Sequence, residues 1–152
     1  MTWVFRKPRK KDVREVFEKA INAYWDGRLE EAMTGFKEVI SIGPPYPLTS
    51  ARFTHTSRPY VTPMNFRAHF LLGNIYARKG MHEKAISEFR KTIEIDSSVG
   101  TPHANIGNSL LKLNRIDDAI REYEIALSLD PNDKMAANNL KLAKLVKKTK
   151  RK

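Results

Sequence analysis

The chain repeats itself at an interval of 34 residues. Leu72-Gly73-Asn74 lies over Ile106-Gly107-Asn108, Ala85-Ile86 over Ala119-Ile120, Glu88-Phe89 over Glu122-Tyr123, and Ile93-Glu94-Ile95-Asp96 over Leu127-Ser128-Leu129-Asp130. An earlier copy starts near Val13, where Gly27-Arg28-Leu29-Glu30-Glu31-Ala32, Phe36 and Pro44 repeat the second half of the pattern. A unit of this size is one supersecondary piece that cannot bury its own apolar face, so the copies must stack.

Each copy reads as two helices of about a dozen residues joined by a short turn, with small residues where the helices cross and bulky ones between them. Gly27 and Gly80 supply the left-handed conformation that ends a helix, and Asn114 is the next best residue for it. Thr62-Pro63, Thr101-Pro102 and Asp130-Pro131 each offer an N-cap followed by a proline at the first helical position, and are expected to mark helix starts. A last helix is expected from about Asp133 to Lys147.

The residues at the recurring slots are Ala20, Gly27, Ala32, Phe36 and Pro44, then Gly73, Gly80, Ala85, Phe89 and Ser97, then Gly107, Asn114, Ala119, Tyr123 and Pro131. This pattern resembles the tetratricopeptide repeat (TPR) family over roughly residues 13 to 147. The resemblance implies an all-α fold, a right-handed superhelical solenoid of helical hairpins. It divides the chain into repeats at about 13–46, 66–99 and 100–133 and a capping helix at 134–147. A basic tail, 1–11, precedes the array, and another, 148–152, follows it.

The Ala32 to Ala85 separation leaves 19 residues beyond one repeat, placed as an inserted loop at 47–65. Pro47, Pro59 and Pro63 forbid a continuous helix there, and loops of this length tend to carry function. No acid occurs between Glu38 and Glu83, while Arg52, Arg58, Arg67, Arg78 and Lys79 do, so the loop and the helix after it form a positive region.

The formal net charge is +11, yet it gathers at the ends: Arg6, Lys7, Arg9, Lys10 and Lys11 at one, Lys141, Lys144, Lys147, Lys148, Lys150, Arg151 and Lys152 at the other. The body between is close to neutral. There is no cysteine, which excludes a disulfide framework and a Cys-based zinc site. Apolar runs are too short for a membrane span or a secretory signal peptide, and a cytoplasmic location is expected.

Neither a phosphate-binding glycine loop nor a serine nucleophile elbow is present, so no catalytic residue and no cofactor is expected. His69 and His103, 34 apart, occupy one inward slot and read as matched core histidines; His55 and His82 lack partners at ligand spacing. The carboxylates read mostly as solvated helix surface among Lys and Arg. No metal site is expected.

The resemblance implies that the first helix of each pair lines a concave groove. The slots facing it hold Arg67, Phe70, Leu71, Asn74 and Arg78 in the second repeat, Asn105, Asn108, Leu111 and Lys112 in the third, and Asn139 in the cap. Asn74 with Asn108, and Asn105 with Asn139, recur at the repeat interval, and amides in a row can grip the backbone of an extended peptide. Phe17, Ile21, Phe70, Leu71, Leu111, Leu142 and Leu145 make the groove partly apolar, which suits a partner's helix or extended segment. A TPR subclass clamps the C-terminal carboxylate of chaperones with Lys, Asn and Arg; the matching slots here hold Phe17, Ile21, Leu71, Thr101 and Asn105, so that clamp is not expected. In a rival arrangement Phe53, Tyr60 and Val61, or Trp3-Val4-Phe5, fill the groove from within.

The expected function is a non-enzymatic module for protein–protein interaction, an adaptor with a protein or peptide ligand. One alternative is a nucleic-acid- or ribonucleoprotein-associated protein holding RNA or another polyanion through the tails and loop: Arg6, Lys7, Arg9, Lys10, Lys11, Arg52, Arg58, Lys147, Lys148, Lys150, Arg151 and Lys152. A further alternative is a scaffold that self-associates as a homo-oligomer.

Overall fold

The computed structural model describes residues 12–42 and 64–150. Among these, all regular structure is helical: α1 Val13–Trp25, α2 Leu29–Ile42, α3 Met64–Arg78, α4 His82–Ile95, α5 Thr101–Lys112, α6 Ile116–Leu129 and α7 Lys134–Thr149. Helices pack mainly on their neighbours in sequence, and α5 also touches α7. This is a solenoid of hairpins α1/α2, α3/α4 and α5/α6, with α7 stacked on the last.

The three hairpin turns share one backbone solution. Gly27, Gly80 and Asn114 all have positive φ, at 78°, 73° and 61°. In each turn the following amide reaches back into the first helix: Arg28 N to Ala23 O at 2.8 Å, Met81 N to Tyr76 O at 2.8 Å, Arg115 N to Leu110 O at 2.9 Å. With the bonds from Gly27 N to Tyr24 O, Gly80 N to Ala77 O and Asn114 N to Leu111 O, two otherwise orphaned carbonyls per helix end are satisfied.

Close helix contact depends on missing side chains. A Cβ on Gly73 would lie 2.7 Å from the Phe89 ring, and one on Gly107 2.7 Å from the Tyr123 ring. The first hairpin reverses the arrangement: the glycine, Gly35, is on α2, and its absent Cβ would meet the Ala20 methyl at 2.6 Å. Phe36, Phe89 and Tyr123 are fully buried at equivalent places in α2, α4 and α6, so each hairpin closes on one ring.

Several expected boundaries shift. Helix α3 begins at Met64, so residues 64 and 65 are helix and not loop. Gly100 is the N-cap of α5, which puts Thr101 inside the helix. Asp130 caps the end of α6 instead of starting a helix, its carboxylate accepting from Asn132 N at 3.1 Å. The start of α7 is capped by Asp133, which accepts from Ala136 N at 2.9 Å. That cap leaves Pro131 in the turn. Helix α7 runs two residues past Lys147, to Thr149. Thr62-Pro63 and most of the 47–65 loop lie outside the described residues.

Candidate functional site

Helices α1, α3, α5 and α7 present one continuous face, identified by side chains that touch from one of them to the next. The Arg67 guanidinium of α3 lies over the Phe17 ring of α1 at 5.0 Å, and that of Arg78 over Tyr24 at 5.8 Å. Asn105 of α5 donates from Nδ2 to Asn74 Oδ1 of α3 at 3.2 Å, and Asn139 of α7 to Asn108 Oδ1 of α5 at 2.9 Å. The Tyr123 hydroxyl donates to the same Asn108 oxygen at 2.6 Å.

The amides therefore pair differently from the repeat arithmetic. Asn74 partners Asn105 and Asn108 partners Asn139, each 31 residues apart, because a slot late in one helix meets a slot early in the next. Asn108 is saturated at its oxygen, while the Nδ2 groups of Asn74 and Asn108 point donors away from these bonds.

Between α1 and α3 a cleft of about 150 Å³ is lined by Ile21, Trp25, Phe66, Arg67, Phe70 and Leu71. Trp25 is 76% exposed at its rim. Phe17 is not available to a ligand: it is buried against Phe36 at 5.9 Å, beneath Arg67. Leu111 is half-buried and Lys112 exposed on α5, while Leu142 and Leu145 stand exposed on α7.

Charge is sorted by helix. Helices α3, α5 and α7 contain no Asp or Glu, whereas α2, α4 and α6 carry Glu30, Glu31, Glu38, Glu83, Glu88, Glu94, Asp117, Asp118, Glu122 and Glu124, and α1 carries Glu15 and Glu18. The body is balanced overall but not locally. Neither Arg67 nor Arg78 is paired with a carboxylate among the described residues.

The expected anion-contact set divides. Lys147 is ion-paired to Asp117 at 2.5 Å and Lys150 donates to Asn114 Oδ1, so both are engaged in holding α7 to α6 and the α5–α6 turn. Lys148 is exposed on helix and not in a tail. Arg6, Lys7, Arg9, Lys10, Lys11, Arg52, Arg58, Arg151 and Lys152 lie outside the described residues, as do Trp3-Val4-Phe5, Phe53, Tyr60 and Val61.

Two side-chain pairs went unforeseen. His69 Nδ1 is 2.7 Å from Glu88 Oε2, and His103 Nδ1 is 2.7 Å from Glu122 Oε2, all four largely buried. Lys91 also donates to Glu88, at 2.8 Å. Burial pushes the Glu88 carboxyl up, but hydrogen bonds from His69 and Lys91 outweigh it and hold it below its ordinary value. The signal was present: His and Glu recur together 19 residues apart in the second and third copies, and the first has neither, with Val16 and Gly35 there.

Helical hairpins with these turns, this packing and this spacing define an α-helical repeat array. The tetratricopeptide repeat family's model matches residues 66–98 and 101–133, the second and third hairpins, and the described array has the fold of a TPR domain. The small glutamine-rich tetratricopeptide repeat-containing protein 2 of Mycosarcoma maydis is 23% identical over 69 residues, 45% of this chain and only 20% of that protein's length. The first TPR domain of Spaghetti (RPAP3), solved with the HSP90 peptide SRMEEVD, superposes with a TM-score of 0.71 at 19% identity, over 88% of this chain and 91% of that one. The Sgt2 TPR domain of Aspergillus fumigatus superposes with a TM-score of 0.70 at 14% identity, over 96% and 89%. Among the described residues no helix is long and apolar enough to cross a membrane.

Proposed function

We propose that this protein is a non-enzymatic interaction module that holds a peptide or helix of a partner protein along the face of α1, α3, α5 and α7. The observation that carries the reading is the α1–α3 cleft, where Trp25 stands exposed beside Ile21, Phe70 and Leu71. Apolar side chains left open to water at a concave place are the usual mark of a contact site. The spare amide donors of Asn74 and Asn108, together with Asn105 and Asn139, would hold the ligand backbone.

A related fold binds a chaperone peptide, but the ligand of this chain is a different one. Phe17 and Leu71 occupy slots where a terminal carboxylate would need cations and amides, and Phe17 is buried. Peptide selection on the full-length protein tests the groove. Selected peptides should bind at least about tenfold more weakly to Leu71→Asp and Trp25→Ala variants that keep the wild-type circular dichroism spectrum. Unchanged affinity in both variants would remove the proposal.

A further inference from the structure

Helix α3 carries Arg67, Leu71, Asn74 and Arg78 at intervals of four, three and four residues, which places them on a single stripe. The contacts of that stripe run to α1 and α5: Arg67 to Phe17, Arg78 to Tyr24, Asn74 to Asn105. It therefore lies along the proposed groove, with a cation at each end, an apolar residue at the cleft and an amide between.

Both guanidiniums are exposed. A guanidinium held over a ring by cation–π attraction gives up none of its five N–H donors to that contact, and they stay free for a carboxylate. The rings also hold the two forks in place, which lowers the entropy lost on binding. Helices α3 and α5 offer a ligand only positive or neutral groups, while the exposed acids Glu15 and Glu18 stand on α1, so the cationic stripe is that of α3 itself.

Accepting the groove reading, we infer that the α3 stripe recognises an internal acidic segment of a partner: two carboxylate side chains gripped by Arg67 and Arg78, with one bulky apolar side chain between them in the α1–α3 cleft. The two arginines are separated by eleven residues of helix, about 16 Å at 1.5 Å per residue. An extended chain advances about 3.3 Å per residue, so the two acids stand about five positions apart. Recognition is through side chains, so a free C-terminus is not required.

Fluorescein-labelled nonapeptides, acetylated and amidated so that no terminal charge remains, supply the probe. One carries two Glu five positions apart around a Leu, a second has Gln for both, and a third has the two Glu adjacent. Fluorescence anisotropy with the full-length protein is expected to show binding of the first, at least about tenfold weaker for the second and third, weakening further with salt. Arg67→Gln and Arg78→Gln should each remove most of the difference between the first and second peptides, and Arg67→Lys should restore only part of it. Equal affinity for the Glu and Gln peptides would overturn the inference, as would full retention of Glu preference in both arginine variants. Selected ligands that depend on Leu71 yet lack acids would overturn it while leaving the groove standing; unchanged affinity in both the Leu71→Asp and Trp25→Ala variants would remove both.

Discussion

His69 and Glu88, nineteen residues apart and on different helices, meet at 2.7 Å inside the second hairpin, and His103 and Glu122 repeat the contact in the third. The pair joins the two helices of a hairpin by a polar contact in a mostly apolar interface. Truncating one partner leaves the other buried alone, which costs more than the contact itself gains.

The first prediction follows from the direction in which Glu88 is shifted. Its folded value lies below the ordinary 4.5, despite burial, because His69 and Lys91 hydrogen-bond the charged form. The stability it contributes is present above the unfolded value and lost as pH falls through the folded one. Urea unfolding of wild type and Glu88→Gln between pH 7 and pH 3 should show a difference of about 1–3 kcal/mol at neutrality that shrinks below about pH 4.5. A difference constant over that range would contradict the assignment.

Tyr123 gives the opposite sign. Burial pushes its phenol up to about 12, so the unfolded chain ionises first as pH rises past 10. The contribution is whole below pH 10 and disappears between 10 and 12. Tyr123→Phe should cost about 1 kcal/mol at pH 7 through the lost bond to Asn108, and its stability should decline less than that of wild type between pH 10 and 12.

The corresponding ring in the second hairpin, Phe89, lacks the hydroxyl, although Asn74 stands where Asn108 does in the third. Phe89→Tyr should therefore be tolerated and raise stability by about 0.5–1 kcal/mol, as a new donor reaches an amide oxygen. A loss of more than about 1 kcal/mol on thermal unfolding would mean that the two hairpins pack their rings differently.

Glycine substitutions should separate two causes. At Gly73 and Gly107 an added methyl group meets an aromatic ring held in the core, and alanine should cost about 1–3 kcal/mol by overpacking. At Gly27 no atom lies within 4 Å of the added Cβ, but φ is 78°. Alanine there should cost about 1–2 kcal/mol through backbone strain alone. Replacing Gly27 by Asn, the residue that makes the same turn at position 114, should recover part of that loss, whereas Asn at Gly73 should be worse than Ala.

The helices and their turns were legible because periodicity reports what is equivalent from one copy to the next. Ala32, Ala85 and Ala119, or Gly27, Gly80 and Asn114, do the same task in each hairpin, and an offset of 34 finds them directly. Contacts between copies follow a different arithmetic. Asn74 meets Asn105 and not Asn108, since two stacked helices present unlike slots to one another, and an offset comparison has no means of showing the 31-residue pairing. Asp130-Pro131 misled for a related reason: Asp serves equally well in capping the start of a helix and in turning the chain after one, and only the position of Asp133 separates the two uses. The positive character of α3 was legible in the acid-free stretch between Glu38 and Glu83, whereas the contrast between α5 and α6 was hidden because summing over the body averages the layers away.

Among the three hairpins, the first alone lacks the buried His and Glu and has Val16 and Gly35 in their place. Besides the packing of α2 on α3, it is tied to the second across the inner face by Arg67 on Phe17 and Arg78 on Tyr24, and by Lys79 to Glu30 at the surface. In native-state hydrogen exchange α1 and α2 should open at lower free energy than the rest, since exposed contacts of this kind are weak. A segment gripped by the two arginines in the α1–α3 cleft would bridge the least secure joint of the array, and occupancy would slow exchange throughout the first hairpin. Ligand affinity and the fraying of that hairpin are then one linked equilibrium, and a mutation that only loosens α2 would be felt as weaker binding.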